Sequence, residues 1–175
     1  MKSKIGSLIF LILCVFSLNA QYKNLPDTLK MVRVKVHMVH DGDSFLAKNG
    51  MAYRIASVDA PEVTSPWNPK VQPYGKQARL FLDSLIDDKT VFVDSLSANQ
   101  WVDGWGRRIG DVYFIENGRL NLVSFKLVQA GLAWYYPSKR RTKSTIPAQL
   151  SKAVNNSKKK KTGLWKDSNP VNPGQ

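Results

Sequence analysis

Residues 31–61 read MVRVKVHMVHDGDSFLAKNGMAYRIASVDAP, and this stretch decides the fold. Residues 31–40 alternate: Val32, Val34, Val36 and Met38 fall on one face, and Arg33, Lys35 and His37 on the other. Period two over that length predicts a half-buried β-strand. Asp41-Gly42-Asp43 breaks it, and residues 44–47 resume as a short strand. Lys48-Asn49-Gly50 is a hairpin turn, because Asn-Gly supplies the positive φ angles a tight turn needs. Residues 51–58 form a third strand, ended by Asp59-Ala60-Pro61. Three strands in immediate succession imply an antiparallel meander.

Downstream, Pro66, Pro69 and Pro73 mark residues 63–73 as an irregular loop. Residues 74–86 predict a helix, with Ala78, Phe81, Leu82 and Leu85 at i, i+3, i+4 and i+7. Residues 90–96 form a β-branched and aromatic strand. After the turn Asp103-Gly104-Trp105-Gly106, residues 109–115 form a fifth strand, closed by Asn117-Gly118. Residues 120–130 predict a second helix with Gly131 just past its end. Pro147 suits the first turn of a third helix, capped by Ser144 or Thr145, burying Leu150 and Val154 and running toward Lys161. Leu164 and Trp165 are placed to pack back onto the domain. The predicted architecture is α+β: a five-stranded OB-fold β-barrel with three α-helices, preceded by a signal peptide.

Outside residues 30–166, which hold this domain, the sequence reads differently. Residues 1–20 carry Lys2 and Lys4, then an apolar stretch, then Asn19-Ala20. This is the pattern of a secretory signal peptide, and the apolar stretch is short for a membrane span. Its removal would take two lysines, no acid and Cys14, the one cysteine of the chain. An exported protein, periplasmic or extracellular, is expected, without stable membrane association once the signal is gone. A retained N-terminal anchor is the alternative. Residues 21–29 read as a flexible lead-in and residues 167–175 as a frayed tail. A single cysteine also excludes an intrachain disulfide framework and a cysteine-based zinc cluster.

Of the 175 residues, 26 are Lys or Arg and 13 are Asp or Glu, a formal net charge of +13. That balance favours polyanionic partners without choosing among nucleic acid, anionic membrane and acidic polysaccharide. Four of the 13 acids of so basic a chain gather at two places. Asp41 and Asp43 flank the first break, and Asp59 and Glu62 lie just past the third strand. In a meander these places can adjoin, and clustered carboxylates call for a cation, with oxygen donors favouring Ca²⁺ or Mg²⁺. The plain alternative is that Asp-Gly is simply a good turn. Arg54 in the third strand and Arg107 and Arg108 after the glycine turn could fork onto phosphate oxygens, or pair with local acids.

These segments together resemble the staphylococcal nuclease (thermonuclease) family. The resemblance rests on Val39-His40-Asp41-Gly42-Asp43-Ser44, on residues 54–62, on Tyr74-Gly75 and on Asp103-Gly104-Trp105-Gly106-Arg107. Gly131-Leu132-Ala133 and Gly163-Leu164-Trp165 extend it, in order and at compatible spacing. It implies an OB barrel with three helices and a Ca²⁺-dependent nuclease that cuts DNA and RNA to leave 3′-phosphates. By the same resemblance Asp43 and Asp59 match carboxylate metal ligands, Ala60 a backbone-carbonyl ligand and Asp41 an outer-shell acid. Glu62 matches the residue proposed as general base or water positioner, and Arg54 and Arg107 the phosphate-binding arginines. Tyr135 and Tyr136 lie near the place where the family stacks a base. Trp105 stands where the best-known member has a tyrosine near a nucleotide phosphate, and Gly104 where it has a lysine.

On this reading, loss of either arginine should lower rate much more than stability. At least one of Trp134, Tyr135 and Tyr136 should be core, and His37 and His40 have no assigned role. The basic runs Lys139-Arg140-Arg141 with Lys143, and residues 158–161, would steer phosphate without reading sequence. A monomer is expected. The rival readings are a non-catalytic OB-fold nucleic-acid-binding module and a cationic surface-binding protein.

Overall fold

The computed structural model describes residues 31–63, 71–95, 102–137 and 146–173. The expected signal peptide, the lead-in, the Lys139–Lys143 run and the Ser144 or Thr145 cap lie outside the described residues. The chain divides between Lys30 and Met31, and everything below belongs to the second unit. No helix among the described residues is long and apolar enough to cross a membrane.

The elements in chain order are β1 (Val32–Val39), β2 (Ser44–Ala47), β3 (Ala52–Ile55), β4 (Val58–Asp59), α1 (Gly75–Ile86), β5 (Thr90–Ser95), β6 (Arg108–Glu116), β7 (Arg119–Leu122), α2 (Val123–Gln129), β8 (Trp134–Tyr135) and α3 (Ile146–Lys159). A single 3-10 turn, Gly163–Lys166, follows. Strands β3, β2, β1, β5 and β6 pair in that order, and β3 closes the ring by running parallel to β6, with Arg54 opposite Ile109. This is the expected five-stranded closed barrel with three helices, the OB-fold arrangement. Its interior is filled by side chains such as Val36, Phe45, Tyr53 and Val91, and Leu82, Leu127 and Leu150 bring the helices into the same core. Each fully buried aliphatic side chain of this kind contributes about 1.5–3 kcal/mol.

Three local departures from the predicted pattern matter. A β-bulge between Val36 and Met38 shifts the register of β1 against β2. Inward alternation therefore passes to Val39, and Met38 is left 43% exposed. The third strand does not run through to Val58. Ser57 takes a left-handed φ of 64° and ends β3, so that Val58 and Asp59 leave the barrel and pair with β8. Finally, the predicted second helix begins three residues late. Asn117 and Gly118 both have positive φ and fold the chain back onto β6, so residues 119–122 form a strand before α2 starts at Val123.

The C-terminal part is pinned by two glycines. Gly131 (φ 66°) and Gly163 (φ 54°) pack face to face: a Cβ on Gly131 would lie 2.2 Å from the Thr162 carbonyl oxygen, and one on Gly163 would lie 2.1 Å from the Gly131 oxygen. The Leu164 N–H donates to that same Gly131 oxygen at 2.9 Å. This close approach seats Leu164 and Trp165 in the core. Gly131→Ala is expected to lower stability by about 2 kcal/mol or more, because strain at a left-handed position adds to a backbone collision. Urea unfolding monitored by Trp fluorescence checks it. Past this turn, two hydrogen bonds reach residues 167–173. Trp134 Nε1 donates to the Val171 carbonyl at 3.0 Å, and the Tyr74 hydroxyl reaches Asp167 Oδ1 at 3.5 Å.

Candidate active site

The site is built where the β1–β2 turn, β3, β4 and the start of α1 meet. Gly42 makes the meeting possible: a Cβ there would stand 2.5 Å from the Ala60 Cβ and 2.6 Å from the Ala78 Cβ. The absence of a side chain lets the Asp41-Gly42-Asp43 turn sit against β4 and α1 at once. The turn is self-braced, with the Asp43 N–H donating to Asp41 Oδ1 at 3.0 Å.

Asp43 is 2% exposed. Its Oδ2 accepts the Ala60 N–H at 2.7 Å, and its Oδ1 accepts Arg54 Nη1. The other arm of the guanidinium, Nη2, donates to Asp59 Oδ1 and to the Val58 carbonyl. Arg54 thus forks across the two carboxylates, and the break at Ser57 is what swings Asp59 into its reach. Burial pushes the Asp43 carboxyl well above its usual range, and the Arg54 charge opposes that rise. Burial also pushes Asp41 up. The His40 hydrogen bond, the Asp43 N–H and the Ser44 hydroxyl outweigh it and bring Asp41 down to about 2.

Glu62 titrates above its usual value. Burial is the main cause, the Asp41 and Asp59 charges add to it, and Arg54 and Arg107 partly offset it. The five residues Asp41, Asp59, Glu62, Arg54 and Arg107 therefore share one electrostatic neighbourhood, with Asp43 beneath Arg54. Arg107 is aimed by Asp103. One Asp103 oxygen accepts the N–H groups of Trp105 (3.0 Å) and Arg107 (2.9 Å), and the other accepts Arg107 Nε at 2.8 Å.

Both predicted arginines do pair with acids, and in the case of Arg54 this alters an expectation. Arg54 is the counter-ion of a buried carboxylate, so its loss should cost stability as well as rate. Trp105 stands 84% exposed on its turn. Tyr135 lies opposite Val58 in the β4–β8 ladder, and Tyr136, 45% exposed, donates its N–H to the Ser57 carbonyl at 2.9 Å. Trp134 and Tyr135 both pack against the core, Trp134 edge-on to Trp165 with ring centres 4.6 Å apart. His40, to which the sequence assigned no role, places its Nδ1 3.5 Å from Asp41 Oδ2. Sequence reasoning passed over Asp103 and Gln72. Only the position of Asp103, four residues before Arg107, could have signalled its role.

No group of three or more His, Cys, Asp or Glu side chains among the described residues is arranged around a metal position. The donor chemistry nonetheless fits a hard cation. Two carboxylates converge on a positive group, one of them buried, and that positive group is a guanidinium holding an oxygen of each. A hard divalent ion would compete with Arg54 for those oxygens.

A family profile described as staphylococcal nuclease homologue matches residues 52–167. The chain belongs to the staphylococcal nuclease family. Within the family it is 32% identical over 142 residues to an uncharacterized endonuclease of Escherichia coli O157:H7, covering 79% of this chain and 80% of that protein. A micrococcal nuclease of Shigella flexneri is 29% identical over 149 residues, covering 81% and 78%. An uncharacterized endonuclease of Haemophilus influenzae is 27% identical over 168 residues, covering 94% and 80%. The family match spans β3, β4, α1, the Asp103 turn and the Gly131–Gly163 contact, but begins after the Asp41-Gly42-Asp43 turn.

Proposed function

We propose that this staphylococcal nuclease family protein is an exported, Ca²⁺-dependent nuclease. It hydrolyses phosphodiester bonds of DNA and RNA with little sequence preference and leaves 3′-phosphates. The observation that carries the reading is the placement of Glu62 in the common field of Arg54, Arg107, Asp41 and Asp59, with Arg54 itself forked across Asp43 and Asp59.

The chemistry follows from charge. A phosphodiester is anionic and repels a nucleophile. Arg54 and Arg107 neutralise it and favour the more highly charged five-coordinate transition state. Glu62, with its raised pKa, holds a water and takes its proton as the new P–O bond forms. The bond to the 5′-oxygen breaks opposite, and that oxygen takes a proton from solvent and leaves as a hydroxyl, so the phosphate stays on the 3′ side. Asp43, Asp59 and the Ala60 carbonyl would hold Ca²⁺, with Asp41 beyond them; the ion supplies further charge neutralisation. Trp105, Tyr135 and Tyr136 offer faces on which any base can stack, which suits broad substrate use. A non-catalytic binding module would have no need to keep all six charged groups together.

Product analysis tests the direction of bond breakage. Digests of a short single-stranded DNA in Ca²⁺ are expected to yield fragments with 3′-phosphate and 5′-hydroxyl ends by mass spectrometry. Fragments with 5′-phosphate ends would contradict the assignment of the leaving oxygen.

A further inference from the structure

Glu62 follows β4 and Pro61, where no strand or helix ladder holds the backbone. It is fixed instead by one residue ten positions on. The Glu62 N–H donates to Gln72 Oε1 at 2.9 Å, and the Glu62 carbonyl accepts the Gln72 N–H at 3.0 Å. Both backbone polar groups of Glu62 thus end on Gln72. A third contact closes the clamp: a Cβ on Gly75 would lie 2.2 Å from the Glu62 carbonyl oxygen. The Gly75 N–H in turn donates to the Gln72 carbonyl at 3.1 Å. Gln72 is therefore tied both to Glu62 and to the first residue of α1.

We infer that Gln72 is a positioning residue that aims the Glu62 carboxylate at its water, an inference that rests on the nuclease reading above. With N–H and carbonyl both anchored, the Cα–Cβ direction of Glu62 is set before substrate arrives, and only side-chain torsions remain free. Gln72 suits the task because its amide oxygen is an acceptor at the end of two methylenes, long enough to span back to a neighbouring segment. Removing that acceptor leaves the main-chain bond but frees the N–H side of Glu62. A misplacement of the base by about 1 Å can cost on the order of 100-fold in rate.

The test compares wild type, Gln72→Ala, Gln72→Glu and Gly75→Ala on single-stranded DNA in Ca²⁺. Gln72→Ala is expected to lower kcat by roughly 10- to 100-fold while KM stays within about 2-fold, since the lost term is orientation and not substrate binding. Gln72→Glu keeps an acceptor oxygen and is expected to recover most of that loss. Gly75→Ala pushes on the same carbonyl from the other side and is expected to lower kcat in the same direction. Amide hydrogen exchange supplies a readout independent of turnover: the Glu62 N–H should lose protection in Gln72→Ala and keep it in Gln72→Glu. Wild-type kcat in Gln72→Ala, unchanged Glu62 protection, or a Gln72→Glu variant no better than Gln72→Ala would each overturn the role of Gln72. An inactive wild-type chain would instead overturn the nuclease reading.

Discussion

Glu62→Gln is expected to lower turnover by about 100- to 10,000-fold, the range that general-base catalysis supplies. The amide is close in size to the carboxylate but cannot take a proton from water. Fold stability should not fall, because the carboxylate is already held above its usual pKa by burial and by the Asp41 and Asp59 charges. Neutralising it removes repulsion. Steady-state cleavage and thermal unfolding of the same preparation separate the two effects. A cationic surface-binding protein would keep its function in this variant.

Arg54→Ala should do what Glu62→Gln does not and reduce rate and stability together. Asp43 is buried, and Arg54 is its countercharge. Removing one partner of a buried pair leaves an uncompensated carboxylate, at a cost of about 3 kcal/mol or more. Because burial raises the Asp43 pKa, the folded variant gains a proton as pH falls, so the cost is greatest at neutral pH and shrinks in acid. Ca²⁺ should restore part of the lost stability by binding the folded form. Arg107→Ala is the contrast. Its partner Asp103 sits on a turn, and an i,i+4 pair of this kind contributes roughly 0.3–1 kcal/mol. Rate should drop by about 100-fold or more in both variants, as for the loss of a well-placed transition-state donor. Urea titrations with and without Ca²⁺ check this; equal stability of the two variants in chelator would contradict the counter-ion role of Arg54.

The meander and its turns were legible because alternation and Asn-Gly are local signals. The helices α1 and α3 were legible from their apolar spacing. The bulge after Val36 was not, because a register shift depends on what β2 presents across the ladder. Nor was β7. Residues 119–122 place Leu120 and Leu122 with a spacing that short strands and helix starts share, and the pairing with β6 settles it. The break at Ser57 is set by tertiary pairing with β8, 77 positions on between Val58 and Tyr135.

At the site, residue types in a basic chain pointed to the acids and arginines. Their mutual geometry was out of reach, since the Asp43 contacts to Arg54 and Ala60 span 11 and 17 positions. Gln72 was invisible for the same reason: a glutamine beside a proline in a loop carries no local mark. Gly42 looked like an ordinary turn glycine, and only packing against Ala60 and Ala78 gives its second role.

The most direct measurement is cleavage of single-stranded DNA, duplex DNA and RNA by the purified chain without residues 1–20, in Ca²⁺, in Mg²⁺ and in chelator. Degradation in Ca²⁺ that stops in chelator is the predicted result. Tight, salt-sensitive binding with no cleavage in either metal would contradict it and leave a barrel that binds nucleic acid without cutting it.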